Sequence, residues 1–129
     1  MKILGVDYGK SKVGLAIAES KFPFPFGVIR FRSEDFIIRK ILDVVEKEKI
    51  EKVVLGVSEG RMKKESVAFG QKLKRILKVP IVFQDETLTS KEAQLLSLEA
   101  GIKRKKRRSL EDAYAASLIL ENYLERSTS

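Results

Sequence analysis

Cysteine and histidine are both absent from these 129 residues. Their absence excludes a thiol nucleophile, a Ser-His-Asp triad, a disulfide framework and a Cys/His zinc site. Hydrolytic chemistry would have to rest on carboxylates, lysines, hydroxyls or an oxygen-ligated ion such as Mg²⁺ or Mn²⁺. Long apolar runs are also missing: none approaches the ~20 residues of a membrane span. The apolar run after Lys2 is broken by Asp7, which argues against a signal peptide. The expectation is a cytoplasmic protein with no membrane partner.

The chain is 43% hydrophobic and 34% charged, enough for one core, so residues 1–129 are expected to form a single domain. The formal net charge is +8, from 26 Lys and Arg against 18 Asp and Glu. Such an excess favours a polyanionic partner. The excess is concentrated: Lys103, Arg104, Lys105, Lys106, Arg107 and Arg108 are consecutive. Such a block points to phosphate contacts with nucleic acid more sharply than net charge does.

The start of the chain reads as an apolar strand ending on a carboxylate. Residues 2–7 and 13–18 form a predicted hairpin around a glycine turn. Alternation puts Ile3, Gly5 and Asp7 on one face. The aromatic segment 21–27 carries Pro23 and Pro25, which argue against a central strand; residues 28–31 are a candidate third strand. Phe22 and Phe24 suit either base stacking or tethering of a loop. Ser33 can cap a helix to about residue 49, with Ile37, Ile41, Val44 and Val45 at helical spacing. The continuous apolar runs 53–57 and 81–83 read as buried parallel strands. Between them lies a predicted helix over 63–77, with Phe69, Leu73, Ile76 and Leu77 on one side. A capping box at Thr89 and Glu92 opens a helix to about Ala100, and Gly101 ends it. The basic run is expected as a loop, followed by a helix over 109–124. The order predicts an α/β fold: a mixed five-stranded sheet, first three strands antiparallel and the rest parallel, with helices on both faces.

Acids occupy the places where such a sheet binds ligands. Asp7 ends the first strand, and Asp85 and Glu86 follow the last one. Asp112 lies in the first turn of the final predicted helix, with Ala115, Ala116 and Ile119 at i+3, i+4 and i+7. That small apolar face should press on the sheet and turn Asp112 toward the strand ends. Each acid has a plain alternative: Asp7 as a turn former, Asp85 or Glu86 as the cap of the turn before Thr87, Asp112 as part of a capping box with Ser109. Jointly they form a carboxylate set for one or two divalent ions. Two such ions about 3.5–4 Å apart can activate water and stabilise the leaving oxygen of a phosphodiester. The basic run before Asp112 would then grip the nucleic-acid backbone, with Lys10 and Lys12 as further contacts.

These motifs together resemble the YqgF (RuvX-like) family, whose members look like Holliday junction resolvases of the ribonuclease H-like superfamily. The matching pieces are Gly5-Val6-Asp7-Tyr8-Gly9, Lys12-Val13-Gly14-Leu15-Ala16, Asp85-Glu86-Thr87-Leu88-Thr89-Ser90 and Asp112-Ala113 with Ala115-Ala116. The resemblance implies a ribonuclease H-like fold and a nuclease that matures the 5′ end of the small-subunit (16S) ribosomal RNA precursor. It implies Asp7, Glu86 and Asp112 as catalytic metal ligands for Mg²⁺ or Mn²⁺. The chain departs from the family pattern at Ser58, where a proline is usual, and at Glu59, an added acid. In related resolvases an acid near this strand end is a ligand, so Glu59 is either a fourth ligand or a solvated loop residue. Ser11-Lys12 replaces the more usual Lys-Arg.

Other readings remain at this level. Cleavage of a branched DNA junction would need a homodimer, whereas RNA processing suits a monomer. Asp7-x-Gly9 before a second glycine strand is also how actin-type and sugar-kinase ATP sites hold phosphate, although those sites lie between two domains. A third reading is a non-catalytic nucleic-acid binder, against which stands the cost of carboxylates facing phosphate.

Overall fold

The computed structural model describes residues 1–57, 61–85 and 104–128. Among these residues eight elements follow in order: β1 (Ile3–Tyr8), β2 (Lys12–Ala18), β3 (Pro23–Arg30), α1 (Glu34–Lys47), β4 (Lys52–Val57), α2 (Arg61–Ile76), β5 (Ile81–Asp85) and α3 (Arg104–Thr128). The strands form one sheet in the order β3-β2-β1-β4-β5. β1 pairs antiparallel with β2, and β2 with β3. β4 joins β1 in parallel, and β5 joins β4 in parallel. The mixed sheet is the one predicted.

Alternation along the strands splits the core into two layers. Leu4, Val6, Val13, Leu15, Ile17, Val53 and Leu55 pack on one side with Ile37 and Ile41 of α1 and Phe69 and Leu73 of α2. Ile3, Ala16, Ala18 and Val54 pack on the other with Ala116, Ile119 and Leu120 of α3. The second layer is thin because its sheet residues are small. A Cβ added at Gly5 would lie 2.6 Å from Leu120 Cγ and 2.9 Å from the Ala116 carbonyl oxygen. Glycine here lets α3 lie directly on β1.

The structure adjusts several sequence expectations. The third strand begins at Pro23 and takes in the aromatic segment. Its prolines are tolerated because β3 is an edge strand with a bulge opposite Leu15 and Ala16. Phe22 and Phe24 are exposed, so neither tethers a loop to the core. Ser33 caps α1 by accepting from the Phe36 amide, as predicted, and the chain leaves that helix through Lys49 at φ 55°. Ile76 is 48% exposed while Phe69, Leu73 and Leu77 are buried. The last helix starts at Arg104, five residues before Ser109, so residues 104–108 of the basic run are helical and not a loop. Lys and Arg are good helix formers, and nothing in 104–109 breaks the turn. The helix expected over 89–100 lies outside the described residues.

Candidate active site

The start of β2 and the carboxyl ends of β1, β3, β4 and β5 fall at one end of the sheet. Open α/β sheets bind ligands at such an end. Asp7, half-buried near the end of β1, pairs in register with Gly14 of β2. Two residues earlier, Gly5 lies against α3, so alternation carries Asp7 to the same side. Above Gly14 sits the main chain of Asp112, so close that a Cβ at position 14 would overlap its carbonyl. Asp7 therefore approaches Gly14 along the sheet and Asp112 approaches it from the helix. Of the three predicted ligands, these two are brought together.

Lys12 completes this corner. Two residues before Gly14 on the same face, it places Nζ 3.0 Å from Asp112 Oδ2. The lysine side chain is 37% exposed and the aspartate 26%. The Oδ2 atom itself is shut off from solvent and accepts no hydrogen bond of good geometry. Its negative charge is met by the ammonium as a contact ion pair. A buried carboxylate oxygen without a directed donor is costly in water-free surroundings, and it is the kind of atom a cation would occupy. Lys10 is exposed in the turn that the Gly9 amide closes on the Lys12 carbonyl at 2.9 Å.

Glu86, Glu59 and Lys103 lie outside the described residues, and among the described residues no three acids gather into a metal-binding group. Asp85 pairs with Val57 and shares the alternation of Ile81 and Phe83, which pack toward α1 and α2. Gln84 takes the opposite alternation, in the row of Gly56, and is buried on the α3 side with Asp7. Sequence reading passed over Gln84. The available signal was a polar residue inside an apolar strand, one place before the acid pair.

Tyr8 was also missed as a site residue. Its ring stacks on Phe69 at 4.2 Å and on Phe31 at 5.9 Å between centroids. Burial raises its phenol above the ordinary tyrosine value, and the carboxylates of Glu34 and Glu65 push it further the same way. Glu34 is in turn paired with Lys72 at 2.7 Å, which ties the start of α1 to α2. Tyr8 thus anchors the end of β1 from the side opposite Asp7.

The sequence profile of a family described as "RuvX: Holliday junction resolvase" matches residues 1–126. The chain belongs to the RuvX family. A relative from Caldanaerobacter subterraneus, provisionally named a pre-16S rRNA nuclease, is 34% identical over 97% of this chain and 96% of its own. A Streptococcus thermophilus relative with the same name is 34% identical over 98% and 99%. Among solved structures, T. thermophilus RuvC in complex with a Holliday junction substrate aligns at TM-score 0.67 and 19% identity, over 100% of this chain and 98% of that one. The fowlpox virus resolvase with its junction DNA aligns at 0.64 and 15%, over all of both chains. These two share the ribonuclease H-like fold. Membership in the RuvX family places the chain among nucleases, hydrolases of phosphodiester bonds, and sets aside the ATP-site reading. Among the described residues no helix is long and apolar enough to cross a membrane.

Proposed function

We propose that this protein is a divalent-metal-dependent nuclease that processes the 5′ end of the small-subunit ribosomal RNA precursor. The observation that carries the metal requirement is the Asp112 Oδ2 atom, sealed from solvent and met by the Lys12 ammonium without a hydrogen bond of good geometry, in a residue whose main chain lies over Gly14, the register partner of Asp7. Aspartates offer the hard oxygens that Mg²⁺ and Mn²⁺ take. Asp7 and Asp112 would hold the ion, with Glu86 as the third ligand and Glu59 as a fourth candidate. One or two ions, once bound, would supply Lewis-acid stabilisation of the phosphodiester and an activated water.

This chain's own residues do the rest. Lys10, Lys12, Lys103, Arg104, Lys105, Lys106, Arg107 and Arg108 would contact the phosphate backbone and hold the scissile bond at the acids. The substrate follows the names of the relatives. The family's own description supports a second reading, cleavage of a branched DNA junction by a homodimer. RNA processing would work in a monomer.

The test is cleavage of a labelled precursor RNA and a four-way DNA junction in Mg²⁺ or Mn²⁺, by wild type and Asp7→Asn. Metal-dependent cleavage of the RNA is expected. The variant should lose more than about a hundredfold, beyond the 10–100-fold typical of a group that only supports a ligand. Preference for the junction would transfer the assignment to the second reading. Binding without cleavage in any metal would make the protein a nucleic-acid-binding module.

A further inference from the structure

We propose that Lys12 is a displaceable counter-ion that occupies the metal position at Asp112 until a divalent cation enters, and so sets the ion concentration at which the site loads. This rests on the metal-dependent reading above. Three observations carry it. Lys12 Nζ stands 3.0 Å from Asp112 Oδ2, inside the distance at which an ammonium neutralises a carboxylate. That oxygen is solvent-inaccessible and accepts no directed hydrogen bond, so the ammonium compensates its charge without fixing its geometry. The lysine reaches it from β2, the strand that also carries Gly14, while its side chain stays 37% exposed and has a path outward.

The chemistry of the pair makes it exchangeable. A lysine ammonium is a compact, strongly hydrated charge on a flexible stem, unlike the planar fork of arginine. The lysine side chain is 37% exposed, so its ammonium can withdraw into water, and the incoming ion takes over the charge of the sealed oxygen. On withdrawal, Asp112 Oδ2 loses the ammonium that stands 3.0 Å from it. An incoming ion supplies more charge and a proper coordination shell, and Lys12 is released toward solvent and the phosphate of a bound strand. Cation and ammonium exclude each other at one oxygen.

Calorimetric titration of Mn²⁺ into the intact protein tests this, using wild type, Lys12→Met, Lys12→Gln, Lys12→Arg and Arg30→Met. Arg30 is the control because it pairs in register with Lys12 and is exposed. It carries the same charge nearby without contacting Asp112. The expected result is three- to fivefold tighter Mn²⁺ binding, by about the worth of one exposed pair, in both Lys12→Met and Lys12→Gln. Arg30→Met and Lys12→Arg should stay within about twofold of wild type on the same reasoning. Unchanged or weaker binding in the Lys12 variants, with wild-type circular dichroism, overturns the proposal. An equal gain in Arg30→Met also overturns it, because the effect would then be the general field of the basic surface. Absence of Mn²⁺ binding in every protein would overturn the metal reading itself. Binding by wild type without a gain in the variants removes only the role of Lys12.

Discussion

At the scale of single residues, the site depends on an absence of atoms. Gly14 has no side chain, and the main chain of Asp112 occupies the space that one would need. Gly14→Ala should therefore push α3 off β2 at Asp112, about two turns into the helix, at an overpacking cost of about 1–3 kcal/mol. The larger effect should be on activity, because displacement moves Asp112 relative to Asp7. The check is thermal unfolding beside cleavage: a folded variant with a modest fall in Tm and cleavage near the Asp7→Asn level. Full activity would show that the contact is not needed for the site. Tyr8 gives a second residue-level prediction. Its phenol is raised in the folded protein by burial and by Glu34 and Glu65, so folding favours the neutral form. That stability is fully present below the ordinary tyrosine value of about 10 and is lost as pH rises from there through the folded value. Wild type should lose stability above about pH 10 more steeply than Tyr8→Phe. Absorbance titration of the difference between the two proteins should place the Tyr8 midpoint above 10.

At the scale of elements, the last helix shows what was legible and what was not. Ala115, Ala116 and Ile119 were readable as its buried face from spacing alone, and they are buried as read. Its start was not readable. Ser109 with Asp112 forms a plausible capping box, and a run of six like charges suggests a loop. Helix propensity over the basic residues nonetheless extends α3 back to Arg104. That leaves a first turn with no acid and several cations, on the end of the helix dipole that disfavours positive charge. An anion docked there would relieve the conflict. Replacing Arg104, Lys105, Lys106 and Arg107 by Gln should raise the Tm slightly, each charge being worth about 0.3–1 kcal/mol at low salt. The same change should weaken nucleic-acid binding for all sequences alike. It should also reduce the salt slope by about one per phosphate contact removed. A fall in Tm together with unchanged affinity would refute both halves of this account.

At the scale of the whole molecule, the sheet was predictable because four of its strands announced themselves, while the edge strand β3 did so only from Val28 on. β1 and β4 are apolar runs with Asp7 and Gly56 next to their ends, and the hairpin is punctuated by Gly9. What the sequence could not show is which strand ends share a face. Asp85 and Gln84 fall on opposite sides of the sheet by alternation, but which of them shares the side of Asp7 follows only from the register with Val57 and Gly56. The same geometry bears on the substrate. A junction has two strands to cut about a two-fold axis, so its cleavage requires two copies of this corner in one assembly. Precursor RNA requires one cut and one copy. Sedimentation at assay concentration, read beside the number of cuts per substrate, should find a monomer making a single metal-dependent cut in the RNA. A stable dimer that nicks a four-way junction symmetrically, with either strand cut only when both protomers keep Asp7, would show that two corners act together. In that case the branched DNA, and not the RNA precursor, would be the molecule to which this sheet end is fitted.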